Sequence, residues 1–236
     1  MSDKDKSIIP PSPSDEDYAR QSREQAALER EAYSVDEDQG DVFTDDDPVA
    51  LFGQWMLLAG RHEANDPNAM SLATVDGDGM PNVRIVLLKD VSARGFTFYS
   101  NAESAKGLEL EANPNAALCF HWKSIRRQVR VRGPVTALPK EESDAYFASR
   151  SRGSQLGALA SFQSRVLRDR ETLKRRIDDY DAIYQGRDIP RPENWHGWLV
   201  EPREIEFWVN RPWRLHDRLQ FLRTADGGWQ SRRLYP

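Results

Sequence analysis

The sequence predicts a mainly β fold: an antiparallel barrel, closed or partly closed, with helical additions. Three observations carry this. Short runs rich in β-branched and aromatic residues follow one another, turn residues separate them, and the helical stretches come in blocks instead of alternating with strands as in a parallel α/β sheet. The 236 residues suffice for one domain with a full core.

Residues 1–47 hold 15 Asp/Glu and 5 Lys/Arg, with Ser and Pro and little apolar periodicity. Such a segment cannot repay its ordering entropy, so a disordered acidic tail is expected, with room for a helix around Tyr18 to Tyr33. The body, residues 48–236, opens on an apolar helix, Pro48 to Leu58, led by the acids Asp45 to Asp47. Met70 to Val75 and Asn82 to Lys89 read as strands joined by Asp76-Gly77-Asp78-Gly79, a hairpin. Gly95 to Ser100 is a third strand, and Ser104 to Asn113 a helix stopped before Pro114. Ala116 to Trp122 and Gln128 to Ala137 return to strand, and Lys140 to Ser149 and Arg165 to Tyr184 are helical. Trp198 to Val200, Glu204 to Val209, Leu219 to Arg223 and Trp229 to Leu234 complete the strands. Rossmann and Walker glycine patterns and internal repeats are absent.

Net charge is −5, yet the tail leaves the body with 23 acids and 28 bases. A mildly basic body suits anionic small molecules and falls short of a nucleic-acid footprint. No apolar run approaches the roughly 18 residues of a membrane span, and the N-terminus lacks the apolar stretch and cleavage site of a secretory signal. The single cysteine, Cys119, reads as a small core residue in a reducing cytoplasm. No His, Cys and carboxylate set has metal-ligand spacing, so no metal is expected.

Four clusters can carry chemistry. Arg84-Ile85-Val86-Leu87-Leu88-Lys89 is an apolar strand with a cation at each end, on opposite faces because the separation is odd. It is either a strand with solvated ends or a ligand segment whose cations meet through a bulge, a strand terminus or a subunit interface. Tyr146, Arg150 and Ser154 recur every four residues, so a helix and its end would align a phenol, a guanidinium and a hydroxyl, a set able to hold phosphate. Arg214, His216 and Arg218 share a face if extended, where three cations repel unless an anion joins them; the alternative is a surface strand with Asp217 as local partner. Arg126, Gln128, Arg130 and Arg132 form a basic stripe with one amide, for which a solvated barrel face is explanation enough.

Together these segments resemble the pyridoxamine 5′-phosphate oxidase family from about Asp47 to the terminal Arg233-Leu234-Tyr235-Pro236. The stretches 84–89, Phe98-Tyr99-Ser100-Asn101, Arg127-Gln128-Val129, Tyr146-Phe147 with Ser149-Arg150, Ser154-Gln155-Leu156-Gly157, Gln163-Ser164, Ile205-Glu206-Phe207-Trp208 and 214–218 occur in the family's order and near its spacing. The resemblance implies an FMN-binding split β-barrel homodimer with two flavin mononucleotide (FMN) sites at the interface. It implies FMN contacts from Arg84, Ile85, Val86, Leu87, Leu88, Lys89, Tyr99, Ser100, Lys106, Gln128, Gln163, Ser164, Trp208 and Arg218. The substrate phosphate would meet Lys89, Tyr146, Arg150 and Ser154, with Arg214 and His216 at the reacting ring. The implied reaction takes a hydride equivalent from C4′ of pyridoxamine or pyridoxine 5′-phosphate to the flavin; O2 then accepts the electrons as hydrogen peroxide, and pyridoxal 5′-phosphate is the product.

Three positions depart from the pattern. Ala105 stands where the family commonly has arginine, which predicts weaker FMN retention; Ser100 replaces a usual Thr and keeps the hydroxyl; the N-terminal arm is acidic, with only Arg30 and Tyr33 resembling its equivalents. Other readings are a flavin oxidase of secondary metabolism such as the phenazine-pathway relatives, against which Tyr146, Arg150 and Ser154 argue, and a noncatalytic flavin or pyridoxal phosphate carrier, against which Arg214 and His216 argue.

Overall fold

The computed structural model describes residues 14–32 and 42–236. Its elements are α1 (Asp15–Ala32), α2 (Pro48–His62), β1 (Ala69–Val75), β2 (Pro81–Leu87), β3 (Asp90–Ser92), β4 (Gly95–Asn101), α3 (Ala105–Ala112), β5 (Asn115–Trp122), β6 (Arg127–Ala137), α4 (Lys140–Ser149), α5 (Arg152–Ala160), α6 (Arg170–Ile183), β7 (Trp195–Val200), β8 (Glu204–Val209), a 3₁₀ turn (Pro212–Arg214), β9 (Asp217–Arg223) and β10 (Trp229–Leu234).

Pairing is antiparallel in the order β10-β9-β8-β6-β5-β1-β2, and β3 pairs β4, β4 pairs β7 and β7 pairs β6. The sheet curls because β6 changes partners. Residues 127–132 pair with β8 and residues 135–137 with β7. Gly133 and Pro134 occupy the changeover, where a Cβ on Gly133 would lie 1.8 Å from the Glu201 carbonyl oxygen. Only glycine admits that approach, and proline, which has no N–H to donate, suits a position between the β8 and β7 pairings. The β1–β2 hairpin closes as read: the Asp76 carboxylate accepts from the backbone N–H of Asp78 at 3.0 Å and of Met80 at 2.8 Å, and Gly79 takes φ +84°.

The inner face of the curled sheet is apolar by alternation, and α2 fills it. Asp47 caps α2 by accepting from Val49 N–H at 2.9 Å, and Pro48 takes the first turn, where its missing donor costs nothing. Leu51, Phe52, Trp55, Leu58 and Ala59 are at most 1% exposed. Phe52 meets Phe96 and Phe120 edge-on, both at 5.0 Å, and Trp55 meets Phe207 likewise at 5.0 Å. Burial of each such ring or branched side chain contributes about 1.5–3 kcal/mol, and edge contacts add about 0.5–1.5 kcal/mol more. A second cluster, Phe147, Leu156, Ile189 and Trp195, joins α4 and α5 to the segment leading into β7.

Several expectations need correction. Cys119 lies on the outer side of β5 and is only partly buried. Desolvation raises its pKa against the pull of Arg130, so the thiol is held protonated. Arg126 precedes β6 in a positive-φ turn, so the outer stripe is Gln128, Arg130 and Arg132; Arg130 pairs with Glu206 and Arg132 with Glu204. The intervening Arg127 points inward, fully buried, with its guanidinium 4.5 Å from the Trp55 ring centroid. The helix expected at Arg165 to Tyr184 starts later, at Arg170, and α5 and β3 were not anticipated. In the acidic tail, α1 packs on the barrel: Glu24 pairs with Arg126, Glu29 with Arg211 at 2.6 Å, and Trp213 Nε1 donates to Asp15 at 3.4 Å. Tyr33 lies outside the described residues, as does the side chain of Arg30. Among the described residues no helix is long and apolar enough to cross a membrane.

Candidate functional site

A cavity of about 730 Å³ opens between β2, β4, α4, α5 and the start of β7. It is within the size range of small-molecule sites. Ile85, Val86, Leu87, Lys89, Tyr99, Ser100, Lys106, Tyr146, Arg150, Ser154 and Gln163 line it, eleven of the residues expected at a ligand.

One end is built around Lys106. Ser104 caps α3 through Gly107 N–H, and Gly107 is required there because a Cβ would fall 2.0 Å from the Ala102 carbonyl oxygen. This tight first turn turns Lys106 inward. Its ammonium donates to Ser104 Oγ at 2.9 Å, Gln163 Oε1 at 3.0 Å and Ser100 Oγ at 3.1 Å. Burial, reinforced by the Arg84 charge and opposed by Glu109, brings its pKa to about 8. The cation is thus ringed by neutral oxygens and has no carboxylate among these partners, an arrangement that suits an added anion.

The other end is built around Arg150. The expected single helical row is not what forms. Chain leaves α4 at Ser149, passes through Arg150 in extended conformation, and re-enters a helix at Arg152. Tyr146, Arg150 and Ser154 still reach one cavity because two helices meet there at an angle. Tyr99 and Tyr146 stack at 3.9 Å between ring centroids, and Trp195 lies nearly parallel to both, 5.4 Å from Tyr99 and 6.1 Å from Tyr146. The Arg150 guanidinium rests 4.6 Å from the Trp195 centroid. Its Nη1 is buried with no hydrogen-bond partner, and burial lowers its pKa. Arg150 lines the cavity together with Tyr146 and Ser154, and a guanidinium N–H without a partner is a donor that an anionic oxygen can satisfy.

The remaining expected residues sit elsewhere. Arg84 turns to Glu109, at 2.9 Å, and to Thr74, while the Leu88 side chain belongs to the core. Ser164 occupies a positive-φ turn next to Gln163, outside the cavity lining. Gln128, Trp208 and Arg218 are direct neighbours across β6, β8 and β9, on the outer face of the sheet. Trp208 meets His216 at 4.5 Å. Between β2 and β6 lie three strand spacings, about 14 Å along the sheet. One protomer therefore carries two separate patches.

The second patch does not have the repelling row of cations that extension would give. Trp213 and Arg214 adopt φ of 53° and 63° in the 3₁₀ turn, and β9 begins only at Asp217. Arg211 is held by Glu29 and Asp217, and Arg218 by Glu206 at 2.8 Å and the Tyr235 carbonyl at 2.9 Å. Burial pushes Glu206 up, but Arg218 and Arg130 outweigh it and keep the carboxylate ionised. His216 accepts the Arg211 backbone N–H at Nδ1, 3.2 Å, so its neutral form carries the proton on Nε2. Burial and then Arg214 lower its pKa, against Asp217. A neutral imidazole with a free Nε2–H lies beside Trp208, and Arg214 is exposed next to it.

Sequence reading missed Trp195, which no periodicity marks, together with Asn101, Ser151, Gly157, Ala158 and Ser161 in the lining. The signal for α5 was masked by Gly153 and Gly157, although both glycines have open space where a Cβ would go.

A curled antiparallel sheet plugged by one apolar helix, with a cation-bearing, aromatic-walled cavity at its edge, defines a protein of the flavin-binding split-barrel class. Residues 59–184 match the family model described as pyridoxamine 5′-phosphate oxidase, and residues 195–236 match the pyridoxine 5′-phosphate oxidase C-terminal dimerisation region. The chain belongs to the pyridoxamine 5′-phosphate oxidase family. It is 52% identical over 232 residues to a pyridoxine/pyridoxamine 5′-phosphate oxidase of Caulobacter vibrioides, covering 98% of this chain and 99% of the relative. It is 55% identical over 198 residues to the enzyme so named in Rhizobium meliloti, covering 84% and 96%. Among solved structures, PhzG from Burkholderia lata, crystallised with tetrahydrophenazine-1-carboxylic acid, superposes with a TM-score of 0.77 at 30% identity, covering 86% of this chain and all of that one. A pyridoxamine 5′-phosphate oxidase-related FMN-binding protein from Nostoc punctiforme shares the fold, with a TM-score of 0.65 at 18% identity, over 80% and 98% of the chains.

Proposed function

We propose that this protein is an FMN-dependent oxidase that converts pyridoxamine 5′-phosphate and pyridoxine 5′-phosphate to pyridoxal 5′-phosphate. O2 is the final acceptor and H2O2 the second product; the amine substrate also takes up water and releases ammonia. The observation that carries this reading is the pair of separate anion-ready centres in one cavity, Lys106 with its three oxygens and Arg150 with its unpartnered Nη1. A phosphorylated cofactor and a phosphorylated substrate require two such centres, since each phosphate carries roughly −1.5 to −2 at neutral pH.

The flavin, when bound, supplies the hydride acceptor. Ser100, Ser104, Lys106 and Gln163 hold its phosphate, and the backbone and side chains of residues 85–87 line the ring. Lys89, Tyr146, Arg150 and Ser154 hold the substrate phosphate, with Trp195 and Tyr99 stacking behind Tyr146. Gln128, Trp208, Arg214, His216 and Arg218 act from the partner subunit of a homodimer, which is how two patches on one protomer serve one site. The exposed apolar edge of β2, Val83 and Ile85 at 65% each, fits burial against that partner. His216, neutral with Nε2–H available, orients the ring and donates a hydrogen bond to it.

The phenazine-pathway relative provides the competing reading. Identity of 52–55% to the oxidases against 30% to PhzG, together with the phosphate set of Tyr146, Arg150 and Ser154, favours the phosphorylated B6 substrate. The test is turnover by protein loaded with FMN. Stoichiometric H2O2 and pyridoxal 5′-phosphate from pyridoxamine 5′-phosphate support the proposal, whereas bound FMN with no turnover of either phosphorylated substrate refutes it.

A further inference from the structure

The walls that carry Tyr146 and Trp195 are braced by a residue outside the cavity. Tyr146 and Phe147 ride on α4, and Trp195 opens β7. The aromatic stack, and the Arg150 guanidinium resting on it, therefore depend on how α4 sits against that strand. Two polar connections fix this. Ser143 Oγ, buried in α4, accepts the Gly197 backbone N–H at 3.1 Å. The second connection runs through Arg191, in the chain that leads into β7.

Arg191 stands between Pro190 and Pro192, neither of which has an N–H to give, and the chain turns at once so that Trp195 N–H donates to the Pro192 carbonyl at 3.0 Å. The Arg191 guanidinium completes the turn. Nη1 donates to the Trp195 carbonyl at 2.6 Å and to the Pro192 carbonyl at 3.2 Å, while Nε donates to Asp144 Oδ1 of α4 at 2.6 Å. The side chain is 9% exposed. One planar fork thus ties the backbone of Trp195 to the helix that carries Tyr146, two residues beyond Asp144. The Trp195 ring lies within 3° of parallel to Tyr146 and meets Phe147 edge-on at 5.2 Å. Arg150 forms no ion pair among the described residues, so its position rests on the faces of Trp195, at 4.6 Å, and Phe147, at 5.6 Å.

Resting on the reading that Arg150 and Tyr146 hold the substrate phosphate, we propose that Arg191 is a positioning residue for that phosphate: through Asp144 and the Trp195 backbone it sets where Arg150 and Tyr146 stand, without touching the substrate. A misplacement of about 1 Å in a binding group can cost about a hundredfold, so a brace of this kind has a measurable effect.

The test compares pyridoxamine 5′-phosphate with pyridoxamine in holoproteins of matched FMN content. Arg191→Met keeps the apolar stem and drops the guanidinium. It is expected to raise KM for the phosphorylated amine about tenfold with kcat little altered, and so to lower the preference for the phosphorylated over the unphosphorylated amine. Arg191→Lys, a point charge able to serve one arm of the brace at a time, should recover part of that preference. Asp144→Ala, at a half-exposed position, cuts one arm only and should give a smaller loss of the same kind, which keeps the question open to test if Arg191→Met does not fold. Adding Arg191→Met to Arg150→Ala should lower the preference no further, because the brace acts through Arg150. An unaltered preference in the Arg191 and Asp144 variants overturns the inference. So does an equal loss on both amines, which would mark general weakening of the fold, and so does a loss that adds in full to that of Arg150→Ala. Wild-type preference in Arg150→Ala removes the reading of the phosphate site and this inference with it; a loss at Arg150 with none at Arg191 removes the inference alone.

Discussion

Replacing Arg150 by alanine tests the substrate end of the cavity most directly. In the free protein Arg150 Nη1 is buried and unpartnered, and the guanidinium lies 4.6 Å from the Trp195 centroid. Losing the cation–π contact costs about 0.5–2 kcal/mol, while relieving the unsatisfied donor returns about 1–3 kcal/mol. These oppose each other, so the melting temperature of Arg150→Ala should stay within a few degrees of wild type. Binding is different, because the phosphate satisfies the donor. Loss of a charged hydrogen bond worth about 1.5–3 kcal/mol raises KM by roughly ten- to 150-fold. The contact is present in ground and transition states alike, so kcat should change little. The assay is H2O2 release from pyridoxamine 5′-phosphate by preparations of matched FMN content, with unphosphorylated pyridoxamine as the second substrate. Wild type should strongly prefer the phosphorylated amine, and Arg150→Ala should lose most of that preference. Wild-type KM and kcat in the variant on the phosphorylated substrate would refute the assignment of Arg150.

Four further outcomes are expected. His216→Ala should lower kcat more than Arg150→Ala does, and equal kcat values in matched holoproteins would remove His216 from the reacting ring. The His216 pKa is depressed, so its neutral form dominates at pH 7 and kcat/KM should fall only as acidification protonates the ring below pH 6.5; a His216-dependent fall already beginning above pH 7 would contradict the burial cause. Lys106 must be charged to hold phosphate, so the FMN Kd should be flat below pH of about 8 and rise above it, a rise that Lys106→Met should abolish. Gly107→Ala should both lower the melting temperature and weaken FMN binding, because its Cβ would lie 2.0 Å from a backbone oxygen of the turn that aims Lys106; unaltered FMN affinity would show that the turn does not position the lysine.

The barrel was legible because its signals are local. Short runs rich in apolar and β-branched residues mark β1, β5 and β8, the Asp-Gly turn marks the first hairpin, and Asp47-Pro48 marks the start of α2. The segments that line the cavity were legible through family motifs, and alternation alone would have left the 84–89 strand ambiguous. What escaped depends on tertiary contact. Strand periodicity places Arg127 inward, but a buried arginine is expected only once Trp55 is seen beneath it, and the positive-φ turn that takes Arg126 off the strand leaves no mark in the alternation. The four-residue spacing of Tyr146, Arg150 and Ser154 suggested one helix, whereas two helices meeting at Arg150 produce the same convergence. Arg214, His216 and Arg218 suggested repulsion, because Glu206 and Glu29, which neutralise Arg218 and Arg211, lie far away in sequence.

The distance between the two patches on one protomer bears on mixed populations. In the proposed dimer, a chain disabled at Lys106 and a chain disabled at Arg218 are each inactive when paired with themselves. A heterodimer of the two gathers both lesions into one site and leaves the other wild type. Random pairing of equal amounts makes half the dimers mixed, so about a quarter of all sites are intact. Two dead alleles thus complement each other, while two lesions within the cavity, at Lys106 and Arg150, cannot do so in any pairing.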